Sequence, residues 1–143
     1  MTSTLLIDCD GVLTDGRLHI DHTGEKMFKA FHTRDVRAIR ELIYNGFEVV
    51  IITADDWPGI FHFAKKVGAV VEIVRDKGKI THPEYIAIGD DAWDIPMLRR
   101  AKKAFAPCNA DQAVFNQVPS VITLATRGGE GVIADMLRHL LPC

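Results

Sequence analysis

No apolar run in this sequence approaches the roughly 20 residues that carry a helix across a bilayer, so a membrane-spanning protein is not expected. The opening residues, MTSTLLIDCD, lack the basic start and long apolar stretch of a secretory leader, and a cytoplasmic protein is expected. There is no basic excess either. Seventeen Lys and Arg face 19 Asp and Glu, a formal charge of -2, which leaves no electrostatic footprint for nucleic acid. Cysteine is scarce: Cys9, Cys108 and Cys143 lack close spacing, which argues against a disulfide framework and a zinc site. Cys9 reads as a small core residue. The six histidines show no ligand spacing. No repeat, low-complexity tract or linker interrupts the chain, so residues 1–143 are expected to form one domain, long enough to bury a core. What is present is 48% hydrophobic and 25% charged residues, the balance of a folded globular protein.

Short apolar runs alternate with amphipathic stretches, the pattern of an α/β protein. LLID (5–8) predicts a first strand, and RLHIDHTGEKMFKAF (17–31) predicts a β-hairpin turning at His22-Thr23-Gly24-Glu25. A helix with Asp35 as N-cap puts Val36, Ile39, Leu42 and Ile43 on one face and stops at Asn45-Gly46. FEVVIIT (47–53) is nearly continuous in apolar residues, as in a parallel strand covered on both faces. A helix from Pro58 to about Gly68, strands at AVVEIV (69–74) and YIAIG (85–89), and a helix over 94–102 follow. KAFAP, a short helix after Asn109, SVITLA and a helix after Gly131 complete the pattern. The implied architecture is an open, doubly wound, mostly parallel sheet with a hairpin insertion and no cap domain.

In such sheets ligands bind beyond the carboxyl ends of the strands. The strand ends here carry Asp8-Cys9-Asp10, Thr53, Arg75-Asp76-Lys77 and Gly89-Asp90-Asp91. Asp8 and Asp10 beside Gly11 have an ordinary reading as turn formers. That reading gives no reason for carboxylates, a hydroxyl and an ammonium to recur as a complementary set at four strand ends.

Carboxylates on adjacent strand ends repel unless a cation lies between them, and Mg²⁺ takes one or two carboxylates together with water and substrate phosphate. Thr53 offers a hydroxyl and Lys77 a point charge for phosphate oxygens. Asp8 is placed to attack phosphorus and give an aspartyl-phosphate. Asp10, two residues on, is placed to protonate the leaving oxygen and then deprotonate the attacking water.

DCDGVLTDG (8–16), Thr53 closing a strand, a Lys after the third strand and GDDAWD (89–94) resemble, in order and spacing, the four motifs of the haloacid dehalogenase superfamily of phosphatases. GEKMFKAFHTRDVRAIR (24–40) and TRGGEGVIADML (126–137) are similar to its small capless branch, which includes 3-deoxy-D-manno-octulosonate 8-phosphate and nonulosonate 9-phosphate phosphatases. The resemblance covers most of the chain. It implies that Asp8 is nucleophile and Mg²⁺ ligand, that Asp10 is acid/base and a ligand through its carbonyl, and that Asp90 is the third protein ligand. Thr53 and Lys77 would hold the phosphoryl group, with Asp91 and Asp94 as supporting acids. Arg127, Gly128, Gly129 and Glu130 would approach the sugar acid, and Glu130 resembles the nonulosonate pattern. A plain glycine-rich helix entry is the other reading of that loop. A hairpin-built homotetramer is implied, consistent with Met27, Phe28 and Phe31 near the second hairpin strand.

The chain departs from the branch in two places. Ala54-Asp55-Asp56 follows Thr53 where the family has Gly and a charged, often basic, residue; solvent-exposed helix caps are the ordinary reading of these acids. Only residues 75–84 join the third strand to the fourth. Crossing three strand spacings and returning along a strand needs roughly 22 Å, beyond the ~15 Å of a ten-residue helix but within the ~33 Å of an extended segment. The connection is therefore expected to be largely extended, with Lys79 as the alternative to Lys77. Two other classes remain. A response-regulator receiver also gathers acids, Thr and Lys, but its phosphorylated Asp lies on the third strand. A noncatalytic assembly module, related to the domain attached to some sialic acid-activating enzymes, is favoured by the departures and opposed by retention of every catalytic residue type.

Overall fold

The computed structural model describes residues 3–142, so Cys143 lies outside the described residues. Six strands form one parallel sheet in the order β3-β2-β1-β4-β5-β6. They are β1 (Ser3–Asp8), β2 (Phe47–Thr53), β3 (Val70–Ile73), β4 (Ile86–Ile88), β5 (Lys103–Ala106) and β6 (Ile122–Thr123). The helices are α1 (Thr33–Tyr44), α2 (Gly59–Val67), α3 (Ile95–Arg100), α4 (Gln112–Gln117) and α5 (Val132–Leu140). Among the described residues no helix is long and apolar enough to cross a membrane.

The continuous apolar runs are explained by cover on both faces. Alternate residues point to opposite sides of a strand. Leu5, Ile7, Val49 and Ile51 join the core under α1, α2 and α5, while Leu6, Val50 and Ile52 pack with Ile95, Met97, Leu98, Val114 and Val118 from α3 and its neighbours. The second face holds no helix over the 75–84 connection. That segment makes one 3₁₀ turn at Lys77–Lys79, has no other helical turn and buries Ile80, with Tyr85 buried just after it. It is pinned from α3: the Arg100 guanidinium donates to the carbonyls of Gly78 (3.3 Å) and Ile80 (3.0 Å), and the Tyr85 hydroxyl donates to the carbonyl of Met97 (2.8 Å).

Two local expectations are corrected. The N-cap of α1 is His32, whose Nδ1 accepts from the Arg34 amide at 3.1 Å; Asp35 lies inside the first turn, fully buried. Its Oδ1 accepts from the Ile133 (3.0 Å) and Ala134 (3.2 Å) amides, so it caps α5, a helix 98 residues away in sequence. The arm at 17–31 is a hairpin by connection but makes a single antiparallel bridge, Ile20 to Lys26, supported by Met27 N–H donating to His19 O (2.8 Å). Two strands without a third or a covering layer gain little from pairing.

Candidate active site

Asp8 and Thr53 are the last residues of β1 and β2, and Asp90 follows β4 by two residues; β1 lies between the other two. Parallel pairing therefore brings all three to one edge of the sheet. After Asp8 the chain wraps through one wide turn over Cys9–Leu13, closed by the Thr14 amide donating to Cys9 O at 3.2 Å. Gly11 adopts φ +86°, and the Asp90 carboxylate lies against it so closely that a Cβ there would stand 1.7 Å from Asp90 Oδ2. Only glycine permits both the backbone angle and that approach.

The side chains line a cavity of about 380 Å³ that includes Asp8, Asp10, Thr53, Asp55, Arg75, Lys77, Asp90, Asp91, Trp93 and Asp94. Lys77, whose side chain is 6% exposed, places Nζ 2.6 Å from Asp94 Oδ1 and 3.1 Å from Asp8 Oδ1. Lys79 is exposed. Asp94 Oδ2 accepts from the amides of Asp90 (2.9 Å) and Asp91 (3.1 Å), so both its oxygens are engaged. Burial works against the Lys77 charge, but Asp8 and Asp94 outweigh it and hold its pKa above the ordinary lysine value. The Asp8 carboxyl is driven well above the usual range by burial and by Asp94 and Asp90, against the pull of Lys77. Burial likewise raises Asp90, with Asp94 and Asp91 adding to it.

Asp8, Asp90 and Asp94 each bring a carboxylate oxygen within 4.8 Å of the others. With Asp94 engaged, Asp8 and Asp90 are the acids able to face a cation, and the buried Asp90 Oδ1 has no hydrogen-bond partner. An orphaned buried carboxylate oxygen beside a second acid, in an all-oxygen set, fits a hard divalent ion.

Asp10 is held at both oxygens. The hydroxyl of the buried Thr14 donates to Oδ1 (3.3 Å), and Lys29 Nζ lies 2.9 Å from Oδ2. Lys29 also reaches Asp55 Oδ2 (3.1 Å), which Lys26 Nζ meets at 2.7 Å. Asp55 is thus no solvent-exposed cap. Burial opposes its charge, but the two lysines bring its pKa below the ordinary carboxylate value. Burial also opposes the Lys29 charge, and Asp10 and Asp55 overcome it, leaving the ammonium pKa raised. A second cavity of about 260 Å³ adjoins this group, with Arg17, His19 and Phe28 among its walls.

The loop at 127–131 sits elsewhere. Gly128 packs on the Asp8–Thr14 turn, where a Cβ would be 1.8 Å from Gly11 O, and the Gly129 amide donates to Val12 O at 2.9 Å. Arg127 and Glu130 are exposed and do not line the 380 Å³ cavity. The structure thus brings Asp8, Asp10, Thr53, Lys77, Asp90, Asp91 and Asp94 together and sets the glycine loop behind them as a buttress. Thr14, Lys29, Arg75 and Trp93 carry no role in the sequence reading. The side-chain oxygen of Thr14, two residues before Gly16, was the one local signal available.

A family model described as haloacid dehalogenase-like hydrolase matches residues 64–136. The chain is 33% identical over 150 residues to the 3-deoxy-D-manno-octulosonate 8-phosphate phosphatase of Haemophilus influenzae, covering 96% of this chain and 81% of that one. The cobalt-bound structure of the Haemophilus influenzae deoxy-D-mannose-octulosonate 8-phosphate phosphatase aligns with a TM-score of 0.87 at 29% identity, over 98% of this chain and 87% of the other. The Moraxella catarrhalis 3-deoxy-D-manno-octulosonate 8-phosphate phosphatase, in complex with magnesium, phosphate and KDO, shares the fold at 22% identity and a TM-score of 0.84, over 98% and 86% of the two chains. These likenesses lend no support to a noncatalytic assembly module. Four strand ends converging on one acid-rich cavity, in a chain so similar to these enzymes, belong to a haloacid dehalogenase-like hydrolase, a phosphatase related to the octulosonate 8-phosphate phosphatases.

Proposed function

We propose that the chain hydrolyses a sugar-acid phosphomonoester, such as 3-deoxy-octulosonate 8-phosphate or a nonulosonate 9-phosphate, through an aspartyl-phosphate on Asp8 with Mg²⁺ as cofactor. The observation that carries this reading is the meeting of Asp8, Asp10, Thr53, Lys77 and Asp90 around the cavity of about 380 Å³. Asp8 attacks phosphorus as the ester P–O bond breaks, and Asp10 gives its proton to the departing oxygen. Asp10 then takes a proton from water as that water attacks phosphorus; the bond to Asp8 breaks and inorganic phosphate leaves. Lys77, 3.1 Å from Asp8, favours the ionised nucleophile, and Asp94 at 2.6 Å keeps the ammonium aimed there. The Thr53 hydroxyl accepts from the Asp55 amide at 3.1 Å and meets the Asp55 carbonyl only at 3.5 Å, a weak contact that a phosphoryl oxygen would replace as acceptor of its proton. Asp8, Asp90 and the Asp10 carbonyl would hold the cation, which when bound neutralises charge on the phosphoryl oxygens.

Hydrolysis of a panel of phosphate esters with Mg²⁺, comparing the parent with Asp8→Asn, tests this proposal. Inertness of the parent toward every sugar-acid phosphate, or full activity in Asp8→Asn, overturns it. Including both sugar acids reads out the leaving group. We further propose that copies of the chain assemble as a tetramer through the arm, whose Leu18, Ile20, Met27 and Phe28 are exposed. Light scattering on the eluted protein measures the mass directly, and a monomer removes that proposal.

A further inference from the structure

We propose that Lys29 is a positioning residue that fixes the orientation of Asp10 toward the leaving oxygen, with Asp55 holding Lys29 in place; this rests on the assignment of Asp10 as acid and base. Lys29 comes from the arm, a segment mostly exposed, yet its own side chain is only 8% exposed. Its stem runs inward with Nζ 5.5 Å from the Trp57 ring centroid and ends between two carboxylates, at 2.9 Å from Asp10 Oδ2 and 3.1 Å from Asp55 Oδ2. Asp55 is itself anchored, since its Oδ1 accepts from the Trp57 amide at 3.1 Å.

Tethering the arm does not explain this placement, because Lys26 already joins the arm to Asp55 at 2.7 Å. Lys29 reaches past Asp55 to Asp10. The Asp10 side chain, 45% exposed, would otherwise be fixed only by the Thr14 hydroxyl at 3.3 Å. A half-exposed carboxylate with one long hydrogen bond samples several rotamers. Adding a largely buried ammonium on the other oxygen leaves it one. Proton delivery demands that order, since a misplacement of about 1 Å costs on the order of 100-fold in rate.

The test uses two substrates that differ in their need for an acid. Alkyl phosphate hydrolysis requires protonation of the leaving oxygen, whereas p-nitrophenolate departs without it. The ratio kcat/KM covers the steps through phosphoryl transfer to Asp8. Lys29→Met is expected to lower kcat/KM for an alkyl phosphate by about 30- to 100-fold and for p-nitrophenyl phosphate by less than about 3-fold. Lys29→Arg is expected to recover most of the alkyl loss, because a guanidinium can also donate to two carboxylates. Equal losses on both substrates, or no loss on either, overturn the role of Lys29. Circular dichroism and melting establish that the variant is folded, and Lys29→Gln serves if Lys29→Met is not. Asp10→Asn on the same substrates separates the two assignments. If it spares the alkyl phosphate, the role of Asp10 itself falls; if it is selective and Lys29→Met is not, only the role of Lys29 falls.

Discussion

Asp35 offers a measurement in which sign and size both follow from the structure. The residue is fully buried, its Oδ1 accepts two amides at the start of α5, and its Oδ2 has no partner. Burial pushes its carboxyl from the ordinary value of 3.8 up to about 6, against the pull of the Ala134 and Ile133 amides and of His32. A pKa raised in the folded state means that folding favours the protonated form. The corresponding stability is fully present below about pH 4 and is lost as pH rises through 6. A rise of about two units corresponds to about 3 kcal/mol, at 1.36 kcal/mol per unit. Asp35→Asn keeps an oxygen for both amides and cannot ionise, but places an NH₂ where Oδ2 lacks a partner, at a cost of about 1–3 kcal/mol. Absolute stability at neutral pH is therefore a poor readout. The difference between the two proteins is decisive, because every titrating group that does not interact with Asp35 cancels from it, and His32 acts on Asp35 more weakly than burial does. In urea unfolding from pH 4 to pH 7.5, the stability of Asp35→Asn relative to the parent should improve by about 2.4 kcal/mol, the first part of the effect being already spent at pH 4. A difference that stays constant across that range refutes the reasoning.

Chelation with EDTA should abolish hydrolysis and Mg²⁺ restore it; at 100 times its dissociation constant Mg²⁺ should also stabilise the fold by about 2.7 kcal/mol, an effect that thermal melts should show lost in Asp90→Asn. Asp94→Ala removes a carboxylate that lies 2.6 Å from Lys77 and accepts two amides; Lys77 keeps Asp8 at 3.1 Å, so the orphaned amides set a cost of about 1–3 kcal/mol in urea melts, along with most of the turnover. Gly128→Ala drives a methyl to 1.8 Å from Gly11 O and should cost about 1–3 kcal/mol, with kcat falling because the turn carrying Asp10 must move. Thermal melts beside phosphatase assays check both consequences.

The strands were legible because their signal is local. A continuous apolar run such as FEVVIIT is what burial on two faces requires, and Asp8, Thr53 and Asp90 stand out as polar residues ending such runs. The extended 75–84 connection followed from chain length alone, since ten helical residues cannot span the distance. The same reach argument did not separate Lys77 from Lys79; the 3₁₀ turn buries Lys77 between Asp8 and Asp94 and leaves Lys79 exposed. Asp35 shows the opposite limit. Its place near a helix start suggested a local cap, but a carboxylate can accept from any amide brought near it, and the helix it caps lies 98 residues on.

By itself, then, the sequence determined the strands, the polar residues that end them at one edge of the sheet and the class of chemistry, because hydrophobic period and motif spacing act over a few residues. Tertiary structure alone decided which groups hold the acids of the cavity. Lys29 meets Asp10 across 19 residues and Asp55 across 26, while Gly128 seats on Gly11 across most of the chain. No local period encodes such pairs. They exist only once the arm, the β2 end and the final loop have been packed against one another, where desolvation favours pairing of opposite charges.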